Sequence, residues 1–165
     1  MKMKAVNRAG AVAFVIFLAS ICAHAQFSVP GAAQPGSAFS IPQAQVIQPE
    51  ALIQMMHKAG PVKPLVLQVG SHLMFAEAHI PGSEYAGPGS RPEGLQMLQQ
   101  RVDALSRKTT IVLYCGCCPW GRCPNVEPAF AKLQQMGFTD VKVLYLADNF
   151  GDDWVAKGYP VEQGR

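Results

Sequence analysis

The sequence contains little charge and no concentration of charge of one sign. Asp, Glu, Lys and Arg make up 15% of its 165 residues, and the formal net charge is +3. A chain without a run of Lys or Arg lacks the electrostatic surface that recognises nucleic acid or an anionic membrane. We therefore expect its partners to be small molecules or other proteins and do not expect nucleic acid.

The sequence also lacks a hydrophobic run of the roughly 20 residues needed to cross a bilayer. Its N-terminus instead has basic residues, the shorter apolar run AGAVAFVIFLAS, and small residues at Ala23 and Ala25. This pattern is typical of a secretory signal peptide. We expect residues 1–25 to be removed and the protein to be exported, either periplasmic or secreted. The mature chain then has no membrane segment and a formal charge of zero, because the leader holds three basic residues and no acidic one.

The rest of the chain divides into a linker and one domain. Residues 26–45 are rich in Pro, Gly, Ala, Ser and Gln and carry no charge, which predicts a flexible linker. Residues 46–165 have the length of a single domain. In this domain three short apolar runs, PLVLQVG, TTIVLYC and DVKVLYL, alternate with segments of helical periodicity. The alternation predicts an α/β fold in which three neighbouring parallel strands are covered by helices on both faces.

Cysteine is nearly absent outside one segment, since four of the five cysteines lie in CGCCPWGRCPN, residues 115–125. Cys115 directly follows a predicted strand, and Pro124 and Asn125 resemble the start of a helix. The cluster thus occupies a strand-to-helix loop, where ligand sites of parallel sheets form. Backbone N–H groups and the helix dipole in such a loop stabilise a thiolate, and we expect the Arg122 cation to do the same. The loop is predicted to hold a nucleophilic cysteine or an anion.

The other loop residues are expected to surround this nucleophile. Gly116 and Gly121 should supply the backbone angles of a tight loop. Trp120 either shields the site from water or packs on the sheet. Cys118 and Cys123 are expected to bind or resolve what the nucleophile carries.

Two further chemistries remain open for these cysteines. In an exported chain, Cys123 can form a disulfide with Cys117 or Cys118, which would suit redox regulation or thiol–disulfide exchange. Four thiolates can also bind a metal, although CGCC does not supply the ligand pairs of a structural zinc site. Copper(I), which accepts two or three sulfur ligands, fits better than zinc.

Four segments occur in the order that characterises a known protein family. They are AHIPGS (residues 78–83), IVLYC with the loop after it, LQQMGFTDVKVLYL, and WVAKGYPVE (residues 154–162). Together they make residues 46–163 resemble the rhodanese-like domains, which carry sulfane sulfur as a cysteine persulfide or bind without catalysing. The resemblance implies a three-layer α/β domain with a central parallel sheet. It also implies a thiosulfate or thiol sulfurtransferase that uses a small sulfur donor, an acceptor thiol and a redox partner protein, and it implies no cofactor or metal.

The resemblance leaves two candidates for the catalytic cysteine. Catalytic members commonly place four residues between cysteine and arginine, which matches Cys117 and Arg122. The strand end favours Cys115, because a strand fixes a side chain more firmly than a loop does. We favour Cys115. The family also commonly has an acidic residue and an arginine near the end of the first central strand, where this chain has Gln68 and Gly70.

Outside the loop we expect structural roles. His79, in the AHIPGS turn, should hydrogen-bond the backbone, and Trp154 should pack the last helical segment on the sheet. Asp148, Asp152 and Asp153 are expected to form a solvent-exposed start of that segment.

Overall fold

A computed structural model describes residues 40–58 and 63–164 of the chain. The predicted signal peptide and residues 26–39 of the predicted linker lie outside the described residues. Within the described residues, no helix is long and apolar enough to cross a membrane. The last residues of the predicted linker include Ile41, which packs against the core, and a 3-10 turn at Gln43–Gln45.

Strands and helices alternate along the domain. The strands are β1 (Val46–Ile47), β2 (Leu65–Gln68), β3 (Glu84–Tyr85), β4 (Ile111–Tyr114) and β5 (Val141–Leu144). The helices are α1 (Pro49–His57), α2 (His72–Glu77), α3 (Pro92–Val102) and α4 (Val126–Gln135), and a π-helical turn spans Gly151–Val155.

The five strands form one parallel sheet in the order β1-β5-β4-β2-β3. The three predicted strands are therefore neighbours, with β4 paired to β2 on one side and to β5 on the other. The N–H of Val69 donates to the Tyr114 carbonyl at 2.8 Å and extends the β2–β4 ladder by one residue. This confirms the prediction that Cys115 follows directly at the carboxyl end of the central strand.

Each face of the sheet carries its own apolar core. Successive side chains of a strand point to opposite faces, so Ile111 and Leu113 join one buried cluster while Val112 and Tyr114 join the other. Helices α3 and α4 pack against the first face, and α1 packs with the π-helical turn against the second. The predicted three-layer α/β architecture is therefore confirmed.

The AHIPGS turn is tied to the central strand through Tyr114. Its hydroxyl is 3.0 Å from Ser83 Oγ and accepts from the Ile80 N–H at 3.3 Å. Burial is the main reason that the pKa of Tyr114 is raised to about 12, so the hydroxyl stays protonated. His79 Nδ1 lies 2.8 Å from the Phe75 carbonyl, as expected for a histidine that holds the turn. Tyr114, the residue before Cys115, is thus anchored by a side chain and a backbone N–H of this turn.

Three elements are not predicted by the sequence, namely β1, β3 and α2. The two strands have two residues each and α2 has six, so none is long enough to show a hydrophobic period.

The expectation that Asp153 faces solvent is wrong. Its side chain is buried, and its carboxylate accepts hydrogen bonds from the backbone N–H groups of Asp148 and Asn149 at 2.6 and 3.1 Å. The neighbouring Asp152 is exposed, as expected. Asp153 therefore closes the loop after β5, and this loop contacts the cysteine segment through the hydrogen bond from the Phe150 N–H to the Gly116 carbonyl, at 3.0 Å.

Replacing Asp153 tests this closure. Asp153→Ala leaves two backbone N–H groups without their acceptor, which should lower the free energy of unfolding by about 1–3 kcal/mol. Asp152→Ala is the matched control and should change it by less than about 0.5 kcal/mol, because the side chain is exposed. Urea unfolding followed by circular dichroism measures both, and equal losses would contradict the assigned role.

Candidate functional site

The loop between β4 and α4 brings three sulfur atoms together. The Sγ atoms of Cys115, Cys117 and Cys123 all lie within 4.8 Å of one another, and those of Cys115 and Cys117 are 3.0 Å apart. We call these residues the three-thiol cluster. Cys118 Sγ is 3.2 Å from Cys117 Sγ but lies outside this group. None of these four cysteines forms a disulfide.

Gly116 shapes the start of the loop. Its φ angle is +78°, in the region that favours glycine. A Cβ at this position would also lie 2.7 Å from Phe150 Cβ. A side chain at residue 116 would therefore be both strained and in collision, so the predicted role of this glycine is confirmed.

The two residues that depart from the family pattern contact Cys115. The buried Gln68 side chain donates to the Cys115 carbonyl at 3.2 Å and accepts from the Gly70 N–H at 3.1 Å. A Cβ on Gly70 would lie 2.7 Å from Cys115 Sγ. Gln68 thus fixes the backbone of Cys115, and Gly70 leaves room for its sulfur. The signal in the sequence is a polar residue at the end of an otherwise apolar strand.

Asn125 is a site residue that the sequence analysis did not include. Its side chain is buried, and Nδ2 lies 3.4 Å from Cys115 Sγ and 3.9 Å from Cys117 Sγ. Its Oδ1 accepts from the Ser90 N–H at 3.0 Å, which leaves the amide N–H groups directed at sulfur. A buried amide at the start of α4 therefore donates to two of the three thiols.

The pKa values of the three cysteines in the three-thiol cluster are shifted in different directions. Hydrogen bonds from Cys115 and Cys117, helped by the backbone N–H groups of Asn125 and Val126, lower the pKa of Cys123. Donation to Cys115 and to Cys123 raises the pKa of Cys117. For Cys115, the hydrogen bond from Cys117 acts to lower the pKa, but donation to Cys123 and burial outweigh it and raise the pKa.

The start of α4 lowers the pKa of a cysteine in this loop, as expected, but that cysteine is Cys123 and not Cys115, which the sequence favoured as the nucleophile. Cys115 is at the strand end, and the N–H groups at the start of α4 reach Cys123 instead. Cys115 receives one backbone donor, the N–H of Cys117. The lowered pKa of Cys123 favours its thiolate form over that of the other two cysteines, which gives Cys115 a neighbouring proton acceptor.

Arg122 and Trp120 lie at the edge of the loop. Arg122 is exposed, and its backbone N–H donates to the Pro119 carbonyl at 3.0 Å. The Trp120 N–H donates to the Ala147 carbonyl at 2.9 Å. Neither N–H group is therefore available to a bound anion. The Trp120 ring is 5.0 Å from that of Tyr145 and packs beside the core, so it packs on the sheet as well as bordering the cysteines.

A cavity of about 220 Å³ is lined in part by Cys115. Tyr114, Met74 and Phe150 give it apolar walls, and Gln68 and Glu77 add polar ones. Cys115 thus borders both the cavity and the three-thiol cluster, and a small molecule in the cavity would contact it.

The comparisons with known proteins agree with this geometry. The family model of the rhodanese-like domain matches residues 48–146. The chain belongs to the rhodanese-like domain family. Its fold is similar to that of the Alr3790 protein from Anabaena sp., with 21% identity, a TM-score of 0.52, and coverage of 72% of this chain and 92% of that chain.

A second structure, the solution structure of the rhodanese-like domain of Alr3790, is 20% identical, with a TM-score of 0.52 and coverage of 72% of this chain and 79% of that chain. The BH2092 protein from Bacillus halodurans is 27% identical over 60% of this chain and 63% of that chain, with a TM-score of 0.45. A search of curated proteins finds no match. The match to the family model and the geometry of the loop together give a rhodanese-like domain that carries a cysteine cluster in the loop after its central strand.

Gly70→Ala tests the contact between Gly70 and the sulfur of Cys115. The added methyl group would collide with Cys115 Sγ and should lower the free energy of unfolding by about 1–3 kcal/mol. The Cys115→Ala protein has no sulfur atom at this position, so Gly70→Ala should lower its free energy of unfolding by less. Denaturant unfolding of the four proteins of this double-mutant cycle measures the difference. Additive costs would show that Gly70 does not make room for the thiol.

Proposed function

We propose that this rhodanese-like domain carries sulfane sulfur as a persulfide on Cys115 and transfers it to an acceptor thiol. The observation that carries the proposal is the position of Cys115. Cys115 directly follows the central strand and lines a cavity, and its sulfur lies within 4.8 Å of two further thiols. A donor in the cavity would approach a nucleophile whose direction is fixed by the strand.

The proposed transfer begins when Cys115 Sγ attacks the outer sulfur of a donor such as thiosulfate or an organic persulfide. A new S–S bond forms as the donor's own S–S bond breaks, and the leaving group departs with the electron pair as sulfite or a thiolate. The proton of Cys115 passes to Cys123, which its neighbours hold as the thiolate. An acceptor thiolate then attacks the outer sulfur of the persulfide and restores Cys115 with its proton.

Hydrogen-bond donors around Cys115 Sγ would stabilise the negative charge of a persulfide formed there. The amide of Asn125 and the N–H of Cys117 both donate to Sγ in the resting structure. Arg122 is exposed one residue before Cys123, where its permanent charge would attract an anionic donor. Glu77 is the charged side chain that lines the cavity, so an organic persulfide should enter more readily than the dianion thiosulfate.

Thiol–disulfide exchange is a second candidate function, favoured by the 3.0 Å separation of Cys115 and Cys117. In this reaction Cys117 attacks the inner sulfur of the Cys115 persulfide. A disulfide forms between the two cysteines and hydrosulfide leaves with the electron pair, after which a redox partner protein must reduce the disulfide. The products distinguish the two candidates, because transfer conserves the sulfane sulfur and exchange releases it.

Persulfide loading tests the nucleophile. Incubation of the reduced protein with an organic persulfide, and separately with thiosulfate, should add the mass of one sulfur atom to the peptide that contains Cys115. Subsequent treatment with a thiol should remove it. Cys115→Ser should abolish the adduct, because a hydroxyl is much harder to ionise than a thiol. Cys117→Ser is the matched substitution in the same loop and should retain it.

Peptide mass spectrometry of the alkylated proteins reads out both variants. Loss of the adduct in Cys117→Ser alone would assign the nucleophile to Cys117, as the spacing to Arg122 predicts. Full loading of both variants would show that neither Cys115 nor Cys117 is the cysteine that carries the sulfur. Circular dichroism spectra of the two variants establish that each is folded.

A further inference from the structure

We propose that the three-thiol cluster is also a binding site for a copper(I) ion, held by the sulfur atoms of Cys115, Cys117 and Cys123. The three residues come from different parts of the loop and meet at one point. Their Sγ atoms lie within 4.8 Å of one another, and the sulfur atoms of Cys115 and Cys117 are already 3.0 Å apart. A soft cation among them would replace the hydrogen bonds that now join the thiols.

The distances suit three-coordinate binding. Metal–thiolate bonds are about 2.3 Å long, so three sulfur atoms arranged trigonally around one ion lie about 4.0 Å apart. The sulfur atoms of the cluster lie within 4.8 Å of one another and the pair Cys115–Cys117 is 3.0 Å apart, so adjustments of side-chain torsions that move the sulfur atoms by on the order of 1 Å would bring them to this spacing. Binding of the ion would displace the protons of the thiols, and these protons would pass to solvent.

The ligand set distinguishes copper(I) from zinc. The group consists of sulfur alone, and it has three members. Structural zinc sites take four ligands in a tetrahedron. Cys118, the remaining cysteine of the loop, lies outside the group although its sulfur is 3.2 Å from that of Cys117. Three soft thiolates without a fourth ligand are a set that copper(I) accepts.

The cluster is held in place by contacts that do not involve an ion. Cys115 is fixed by the central strand and by Gln68, and Cys123 by the start of α4. The buried amide of Asn125 reaches the sulfur atoms of Cys115 and Cys117 and is itself oriented by the Ser90 N–H. Such outer contacts orient ligands and commonly change metal affinity by about 10–100-fold.

Copper binding and sulfur transfer would exclude each other, because both use Cys115 Sγ. A bound ion blocks attack on a donor, and a persulfide on Cys115 removes one thiolate from the ion. The inference is nevertheless independent of the proposed transfer, since a cluster that binds copper(I) can do so whether or not Cys115 reacts with a donor.

Competition with a chromogenic copper(I) chelator tests the site on the full chain. The reduced protein, kept without oxygen, should withdraw one copper(I) per chain from the bathocuproine complex. X-ray absorption should show three sulfur atoms about 2.3 Å from the metal. Ser substitution of Cys115, Cys117 or Cys123 should each lower the affinity by about tenfold or more. Cys118→Ser is the matched control and should stay within about twofold of the unmodified protein, because its sulfur is outside the group.

Several results would overturn the site. One is the absence of copper transfer from the chelator to the unmodified protein, and another is coordination by two or four sulfur atoms. An equal loss of affinity in Cys118→Ser and Cys117→Ser would also contradict it. The measurements on the unmodified protein decide the question even where a variant fails to fold. Copper binding without persulfide formation, or the reverse, separates this site from the proposed transfer.

Discussion

The position of Cys115 depends on the parallel pairing of β2 with β4. The ladder runs from Leu65 and Ile111 to Gln68 and Tyr114, and the Val69 N–H adds one more hydrogen bond to the Tyr114 carbonyl. The next residue of the strand end, Cys115, is held by the Gln68 side chain, which donates to its carbonyl. Cys115 is thus held by backbone pairing up to the residue before it and by a buried amide at its own carbonyl. Without this pairing, the position of Cys115, which lines the cavity and belongs to the three-thiol cluster, would not be fixed.

The same loop gives its three sulfur atoms different environments. Cys123 lies among the N–H groups at the start of α4, while Cys115 lies at a strand end, where it lines the cavity and its sulfur is near the other two. A thiolate beside two thiols is suited to accept a proton during persulfide formation. Three adjacent sulfur atoms without nitrogen or oxygen ligands are suited to a soft cation. Both proposals rest on the same arrangement of sulfur atoms. Sulfur transfer and copper(I) binding would compete for Cys115.

The sequence predicted the α/β layers and the central strands because short apolar runs alternate with segments of helical periodicity. It also placed Cys115 correctly, since a strand end is defined by the run that precedes it. It could not predict that Asp153 is buried or that Asn125 reaches two sulfur atoms, because both depend on contacts between segments distant in the chain. For the same reason it could not predict which cysteine of the loop has the lowered pKa. The helix N-terminus was recognised, but which cysteine it faces is set by the path of the loop.

A crystal structure of the full chain after incubation with a sulfane donor tests the central claim most directly. The account predicts one additional sulfur atom, bonded to Cys115 Sγ at the carboxyl end of β4. The amide of Asn125 should remain directed at this residue. An additional sulfur on Cys117, Cys118 or Cys123, with Cys115 unmodified, would contradict the assignment of Cys115 as the sulfur carrier.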